Sequence, residues 1–177
     1  GNLYHLSDAD VAFLARMSRL AKQNESLFVH RRNILGDSMR NEVYGYAHCQ
    51  GARGFLFLNN AHFSARRAEL CLDGSIGLAA KPGTPLQVVS HFPEQARLLR
   101  PDGAGFKAGD AFGIWLRPFE VLMLEVGPEL HRRASAGLPL RSVSRPQAAE
   151  LGRALALKPA PLDAQMQMRF ADAAAFE

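Results

Sequence analysis

Val43-Tyr44-Gly45-Tyr46-Ala47-His48-Cys49-Gln50, then Gly51-Ala52-Arg53-Gly54, then Phe55-Leu56-Phe57-Leu58-Asn59-Asn60: this stretch decides the fold class. Its first eight residues alternate, with Tyr44, Tyr46 and His48 on one side, as a strand with two unlike faces does. The glycine-bounded four that follow read as a hairpin connection into a second, mostly apolar strand. Runs of the same texture continue downstream at Phe63–Leu72, Leu86–Phe92, Ala96–Leu99, Ala111–Leu116 and Phe119–Val126, in the last of which Leu122, Leu124 and Val126 face one way. Turn residues separate them: Asp73-Gly74, Arg100-Pro101-Asp102-Gly103, Gly109-Asp110 and Arg117-Pro118. Short strands at this spacing, with no helical crossovers between them, predict an antiparallel sandwich or barrel and exclude a parallel α/β sheet. The expected fold is mainly β: an antiparallel β-sandwich over 43–126, an N-terminal helical segment over 1–42, and a mixed tail over 127–177.

Upstream of the sandwich, residues 7–23 read as a helix. Ser7-Asp8-Ala9-Asp10 is a capping signal with two acids at the positive end of the helix dipole. Phe13, Leu14, Met17, Leu20 and Ala21 share one face, and Arg16, Arg19 and Gln23 another. Glu25 to Asn33 reads as a second helical stretch, stopped at Leu35-Gly36-Asp37-Ser38. In the tail, Leu162, Ala164, Met166, Met168 and Phe170 alternate with polar residues and predict a strand that adds to the sandwich edge. Residues 145–157 fit a capped helix or a strand equally. Gly1 in place of methionine, and an end at Ala173-Ala174-Ala175-Phe176-Glu177 without a termination signal, read as a piece of a longer protein whose 127–177 opens a further domain.

The chain of 177 residues is 47% hydrophobic and 21% charged, an ordinary globular composition that builds a core without metals or disulfides. Its net charge of +4 is spread evenly, and only Arg31-Arg32, Arg66-Arg67 and Arg132-Arg133 stand together. Such pairs read as solvated faces, so no nucleic-acid partner is expected. No run approaches the length of a membrane span, and the first residues lack a signal-peptide pattern, so no membrane partner is expected either. Cys49 and Cys71 read as buried free thiols, with a single bridge as the alternative.

Chemistry-bearing motifs are scarce. The histidines, at 5, 30, 48, 62, 91 and 131, are too dispersed for a metal site; His48 and His62, near the ends of neighbouring strands, are the two placed to meet. There is no phosphate-binding glycine loop and no nucleophile elbow, and no cofactor is expected. Among the acids of the strand region, Glu69, Asp73, Asp110, Glu120 and Glu125 are the candidates for carboxylate chemistry, each reading as solvated at a strand end or turn. Tyr44, Tyr46 and Trp115 are the candidate carbohydrate-binding platforms, since aromatic faces stack on sugar C–H groups; in a small sandwich such residues more usually supply core area, with the polar tip reaching a partner.

In order, Ile34-Leu35-Gly36-Asp37, Val43-Tyr44-Gly45-Tyr46, Gly54-Phe55-Leu56-Phe57-Leu58-Asn59-Asn60 and Pro118-Phe119-Glu120-Val121-Leu122-Met123-Leu124-Glu125-Val126 resemble the C-terminal region of α-galactosidase-like (melibiase-type) glycoside hydrolases. The resemblance spans residues 8–126 and departs from the family at Asn60-Ala61, where Asn-Pro is common. It implies that residues 8–33 are the last helical element of a catalytic barrel and 43–126 the sandwich that follows. The family's catalytic aspartates lie on barrel strands, so none transfers to this chain. The implied role is a non-catalytic sandwich that packs against and stabilises the barrel of a parent glycoside hydrolase, with a periplasmic or secreted compartment open to that parent. The alternative is a self-contained carbohydrate-binding or interaction module. The helix separates them: its stripe Phe13, Leu14, Met17, Leu20 either seeks a barrel, and self-associates without one, or is covered by the chain's own sandwich.

Overall fold

A computed structural model describes residues 6–130 and 138–142. Helix α1 (Asp8–Gln23) opens on the expected capping box, in which the Asp10 amide donates to Ser7 Oγ and the Ser7 amide to Asp10 Oδ2. A single turn, α2 (Glu25–Phe28), follows at Asn24. Ten strands follow among the described residues: β1 (Arg32–Leu35), β2 (Val43–Gln50), β3 (Arg53–Asn60), β4 (Arg66–Cys71), β5 (Pro85–Phe92), β6 (Ala96–Leu99), β7 (Phe106–Lys107), β8 (Ala111–Leu116), β9 (Val121–Gly127) and β10 (Leu140–Ser142).

The chain is mainly β and mainly antiparallel, as the alternation predicts. One large sheet runs β1-β2-β3-β9-β5-β6-β10, with β7 paired to β5, and β4 and β8 form a second sheet of two strands. The β2–β3 hairpin closes at Gln50 opposite Arg53, leaving two turn residues, and Gly51 takes the positive φ of 61° that the first central position of such a turn requires. Gly45, in the middle of β2, is needed for another reason: a Cβ there would run into the Phe57 carbonyl of β3.

Alternation sorts the side chains into two layers. Leu56 and Leu58 of β3, Leu122, Leu124 and Val126 of β9, Val88 of β5 and Leu98 of β6 point inward. They meet Ala68 of β4 and Phe112, Ile114 and Leu116 of β8 in one core, so the two sheets face each other as a sandwich. The opposite face of the large sheet is also partly covered. Phe55 and Met123 pack there with Leu27, and with Met17, Leu20, Phe28, Phe57 and Phe92 around them. Most of the stripe of α1 is therefore taken up by the chain's own sheet through Phe13, Met17 and Leu20, with Phe13 against Phe92 at 5.6 Å between ring centroids. Leu14, which the sequence places in the stripe, is not covered, and it and Val11 stay about half exposed.

Several boundaries differ from the sequence reading. Helix ends at Phe28, and Arg32–Leu35 is a strand, pairing Arg32 with Ala47 through Leu35 with Tyr44. Residues 29–33 carry no apolar helical face, whereas pairing with β2 satisfies the backbone of 32–35 and buries Ile34. The third run shortens to β4, because buried Asn60 donates from Nδ2 to the Ser64 and Arg117 carbonyls, at 2.9 and 2.8 Å, and holds 61–65 as a loop. Phe119 falls outside β9, in the left-handed region at φ 56°. In the tail, β10 pairs parallel with β6. The strand expected near 162–170 and the ambiguous 145–157 segment lie outside the described residues.

Candidate functional site

The outward face of the large sheet is built in rows across β2, β3 and β9: His48, Phe55 and Glu125; Tyr46, Phe57 and Met123; Tyr44, Asn59 and Val121. Helices α1 and α2 roof Phe55, Phe57 and Met123. The remaining part forms a groove of about 330 Å³ lined by Tyr44, Tyr46, His48, Phe57, Asn59 and Val121. Asn59 Nδ2 donates to Tyr44 Oη at 2.8 Å, fixing the phenol at the groove wall. Tyr44 and Tyr46 meet edge to face at 6.2 Å, and His48 sits between the Phe28 and Phe57 rings, 5.6 Å from each. Burial among these rings lowers the His48 pKa, and the charge of Arg31 adds to the effect.

A second, polar cleft of about 560 Å³ lies alongside, lined by His30, Arg31, Arg32, Cys49, Gln50 and Gly77 among others. Arg32 Nη1 donates to the carbonyls of Gly74 and Ser75 at 2.8 and 3.0 Å, tying β1 to the short turn after β4. Arg31 lies over the Tyr46 ring, 5.0 Å from its centroid, and so joins the cleft to the groove.

Tyr44 and Tyr46 thus come together, as their alternation in β2 requires. Trp115 does not join them: it alternates with the inward Ile114 and Leu116 of β8 and stands on the outer face of the other sheet, in register with Arg67. His48 and His62 do not meet, because His48 pairs near the hairpin end of β3 while His62 lies past its other end, bonded to Ser64. Both cysteines are free; Cys49 is half-buried and Cys71 is exposed rather than buried, since it ends β4 at the sheet margin.

All five candidate acids have structural partners. Glu69 pairs with Arg67 at 3.0 Å, Asp73 accepts from the Ser75 amide at 2.8 Å, and Asp110 accepts from the Lys107 amide at 2.9 Å and from Arg100 at 3.2 Å. Glu120 accepts from the Arg117 amide at 2.7 Å. Glu120 and Glu125 are buried, not solvated as strand-end acids are by default. Beneath the helices, Glu125 Oε2 meets His91 Nε2 at 2.9 Å, and its Oε1 accepts from Arg53 at 3.2 Å. Arg53 also donates to Asn24 Oδ1 at the α1–α2 junction, and Arg16 of α1 donates to the His91 carbonyl. No single spacing in the sequence links residues 16, 24, 53, 91 and 125; only the outward register of β3, β5 and β9 gathers them. Among the described residues no group of three metal-ligating side chains assembles.

One further surface is aromatic and open. Phe63 and Phe119, from the loops that Asn60 clamps together, stack edge to face at 4.9 Å while remaining largely exposed.

No protein-family model matches this chain, and no curated protein matches it. Similarity to solved structures is remote. One is a candidate α-N-acetylgalactosaminidase from Bacillus halodurans C-125, 14% identical over 56% of this chain and 21% of the other, with a TM-score of 0.38. Another is AmyP in complex with maltose, 17% identical over 68% and 22%, with a TM-score of 0.38. A third is a GH30 endoxylanase from Clostridium papyrosolvens C71, 14% identical over 55% and 22%, with a TM-score of 0.32. The matched part spans about a fifth of the length of each of these proteins, two of which are named as glycosidases and one of which is bound to maltose.

Proposed function

We propose that this chain is a non-catalytic β-sandwich domain of a glycoside hydrolase, seated against the catalytic barrel of its parent. The observation that carries the non-catalytic part is the engagement of all five candidate acids. Glycoside cleavage by the common routes needs two carboxyl groups about 5–10 Å apart and open to the glycosidic oxygen and the ring. Here each carboxylate caps a turn, pairs with an arginine or holds the buried network. The barrel contact falls to what α1 leaves exposed, Val11 and Leu14. Purified chain assayed on aryl α- and β-glycosides should show no turnover. Turnover that disappears on substituting one acid among Glu69, Asp110 and Glu120 would make the chain an enzyme in its own right.

A second reading, a self-contained carbohydrate-binding module, draws on a specific feature: most of the stripe of α1 packs on its own sheet, and the part of that sheet face left open is the tyrosine groove. Its aromatic walls and its Tyr44–Asn59 polar pair suit a pyranose, which presents C–H groups on its faces and hydroxyls at its rim. Binding of a neutral saccharide that Tyr44→Ala and Tyr46→Ala both weaken would support it; binding untouched by either change would remove it.

A further inference from the structure

We propose that the polar cleft and the tyrosine groove act together as a site for a carboxylate-bearing saccharide, with Arg31 as the carboxylate's partner. The inference rests on the carbohydrate-binding reading of the same face and names its sugar class. No acid lines the cleft, and the cations Arg31 and Arg32 have no carboxylate within 4.0 Å among the described residues. Arg32 has an internal task, its two carbonyl bonds. Arg31 has none: among the described residues its guanidinium makes no hydrogen bond or ion pair, lying over the Tyr46 ring and acting on His48 only through its charge, so its N–H donors face no protein acceptor. The side chains of His30 and Gln50 bring further donor capacity to the same cleft. A planar guanidinium of this kind matches a carboxylate with two parallel hydrogen bonds.

The neighbour of this cation is what selects a sugar. Tyr46, beneath Arg31, also lines the groove with Tyr44 and Asn59, so an anionic group at Arg31 is followed directly by aromatic edges and a polar pair. A simple phosphate has no apolar face to place there, whereas a uronate ring carries the carboxylate, the C–H faces and the hydroxyls on one six-membered frame. The exposed arginine pair that reads in the sequence as a solvated face is here one wall of a site.

Titration calorimetry at low salt with three probes tests this: trigalacturonate, its fully methyl-esterified form, and triglutamate. Expected are binding of trigalacturonate, at least about tenfold weaker binding of the ester, and the same loss for the acid in Arg31→Gln, whose melting is unchanged because Arg31 is exposed. Equal binding of acid and ester, indifferent to Arg31→Gln, would overturn the acidic-sugar inference while leaving the carbohydrate reading in place. Triglutamate binding as tightly as trigalacturonate would overturn it in favour of an acidic peptide. Failure of both saccharides to bind would remove the carbohydrate reading and this inference with it.

Discussion

His91 Nε2 and Glu125 Oε2 lie 2.9 Å apart with each side chain 4% exposed, and Arg53 takes the other carboxylate oxygen. The carboxylate is thus the hinge pin of a network that reaches through Arg53 to Asn24 and ties the helical roof to the sheet. Glu125→Ala leaves Arg53 and His91 without their counter-group and should cost about 3–5 kcal/mol of stability, the usual range for removing one partner of a buried pair. Urea unfolding measures the loss. Hydrogen exchange at α1 amides should quicken more than exchange in β4 and β8; uniform quickening would mean that the network does not hold the roof.

Leu124 is fully buried between the sheets. Leu124→Asp places an unpaired charge in that core, at a cost of several kcal/mol against a total stability of roughly 5–15 kcal/mol. The expected outcome is loss of the cooperative thermal transition, and an unchanged melting curve would refute the inward assignment of this strand face.

Phe119 pays for its φ of 56°, since a left-handed conformation costs a side-chain-bearing residue about 1–2 kcal/mol. Phe119→Gly removes that strain and forfeits an exposed ring contact, so its melting temperature should be equal to or above that of the unaltered chain. A fall of several degrees would show that the Phe63–Phe119 stack contributes more than the backbone strain removes.

Two groups give stability a pH dependence with opposite signs. Burial lowers the His48 pKa below its usual 6.5, so the unfolded chain binds more protons in that window and stability falls as pH drops below about 6.5. Burial raises the Cys49 thiol from 9.0 to about 11, so the unfolded chain releases its proton first and stability falls as pH rises above about 9. His48→Gln should flatten the acid limb and Cys49→Ala the alkaline limb of the urea midpoint against pH. At pH 8, iodoacetamide should modify exposed Cys71 well before Cys49; equal rates would contradict the burial of Cys49.

The architecture is legible in the sequence wherever one face of a strand is apolar and the other is not. Tyr44, Tyr46 and His48 against Gly45 and Ala47, or Leu122, Leu124 and Val126 in β9, declare their faces by period alone. What period cannot show is that the outward face is covered as well. Met123 and Glu125 are buried because α1 (Asp8–Gln23), far upstream of β9 (Val121–Gly127) in the chain, folds back over them, and a local pattern holds no record of that return. The same return changes the meaning of the helix stripe, which reads as an unpartnered surface until Phe13, Met17 and Leu20 are seen against Phe92, Phe55 and Phe57. Of the candidate site, the two tyrosines follow from alternation, while the separate position of Trp115 depends on which sheet its strand joins. The position of Arg31 over Tyr46 comes from a register, Arg32 opposite Ala47, that an expected helix over 25–33 conceals.

The strand order carries a consequence for the timing of synthesis. β3 receives its second neighbour only from β9, some sixty residues later, and β5 also waits for β9. A nascent chain emerging N-terminus first therefore displays the β2–β3 hairpin with one apolar edge unsatisfied until Gly127 has cleared the ribosome. During that interval α1 and α2 have only part of the surface they will finally rest on. Assembly of the large sheet is consequently late and nearly all at once, and a ribosome stalled before β9 would leave a hairpin prone to pair with copies of itself.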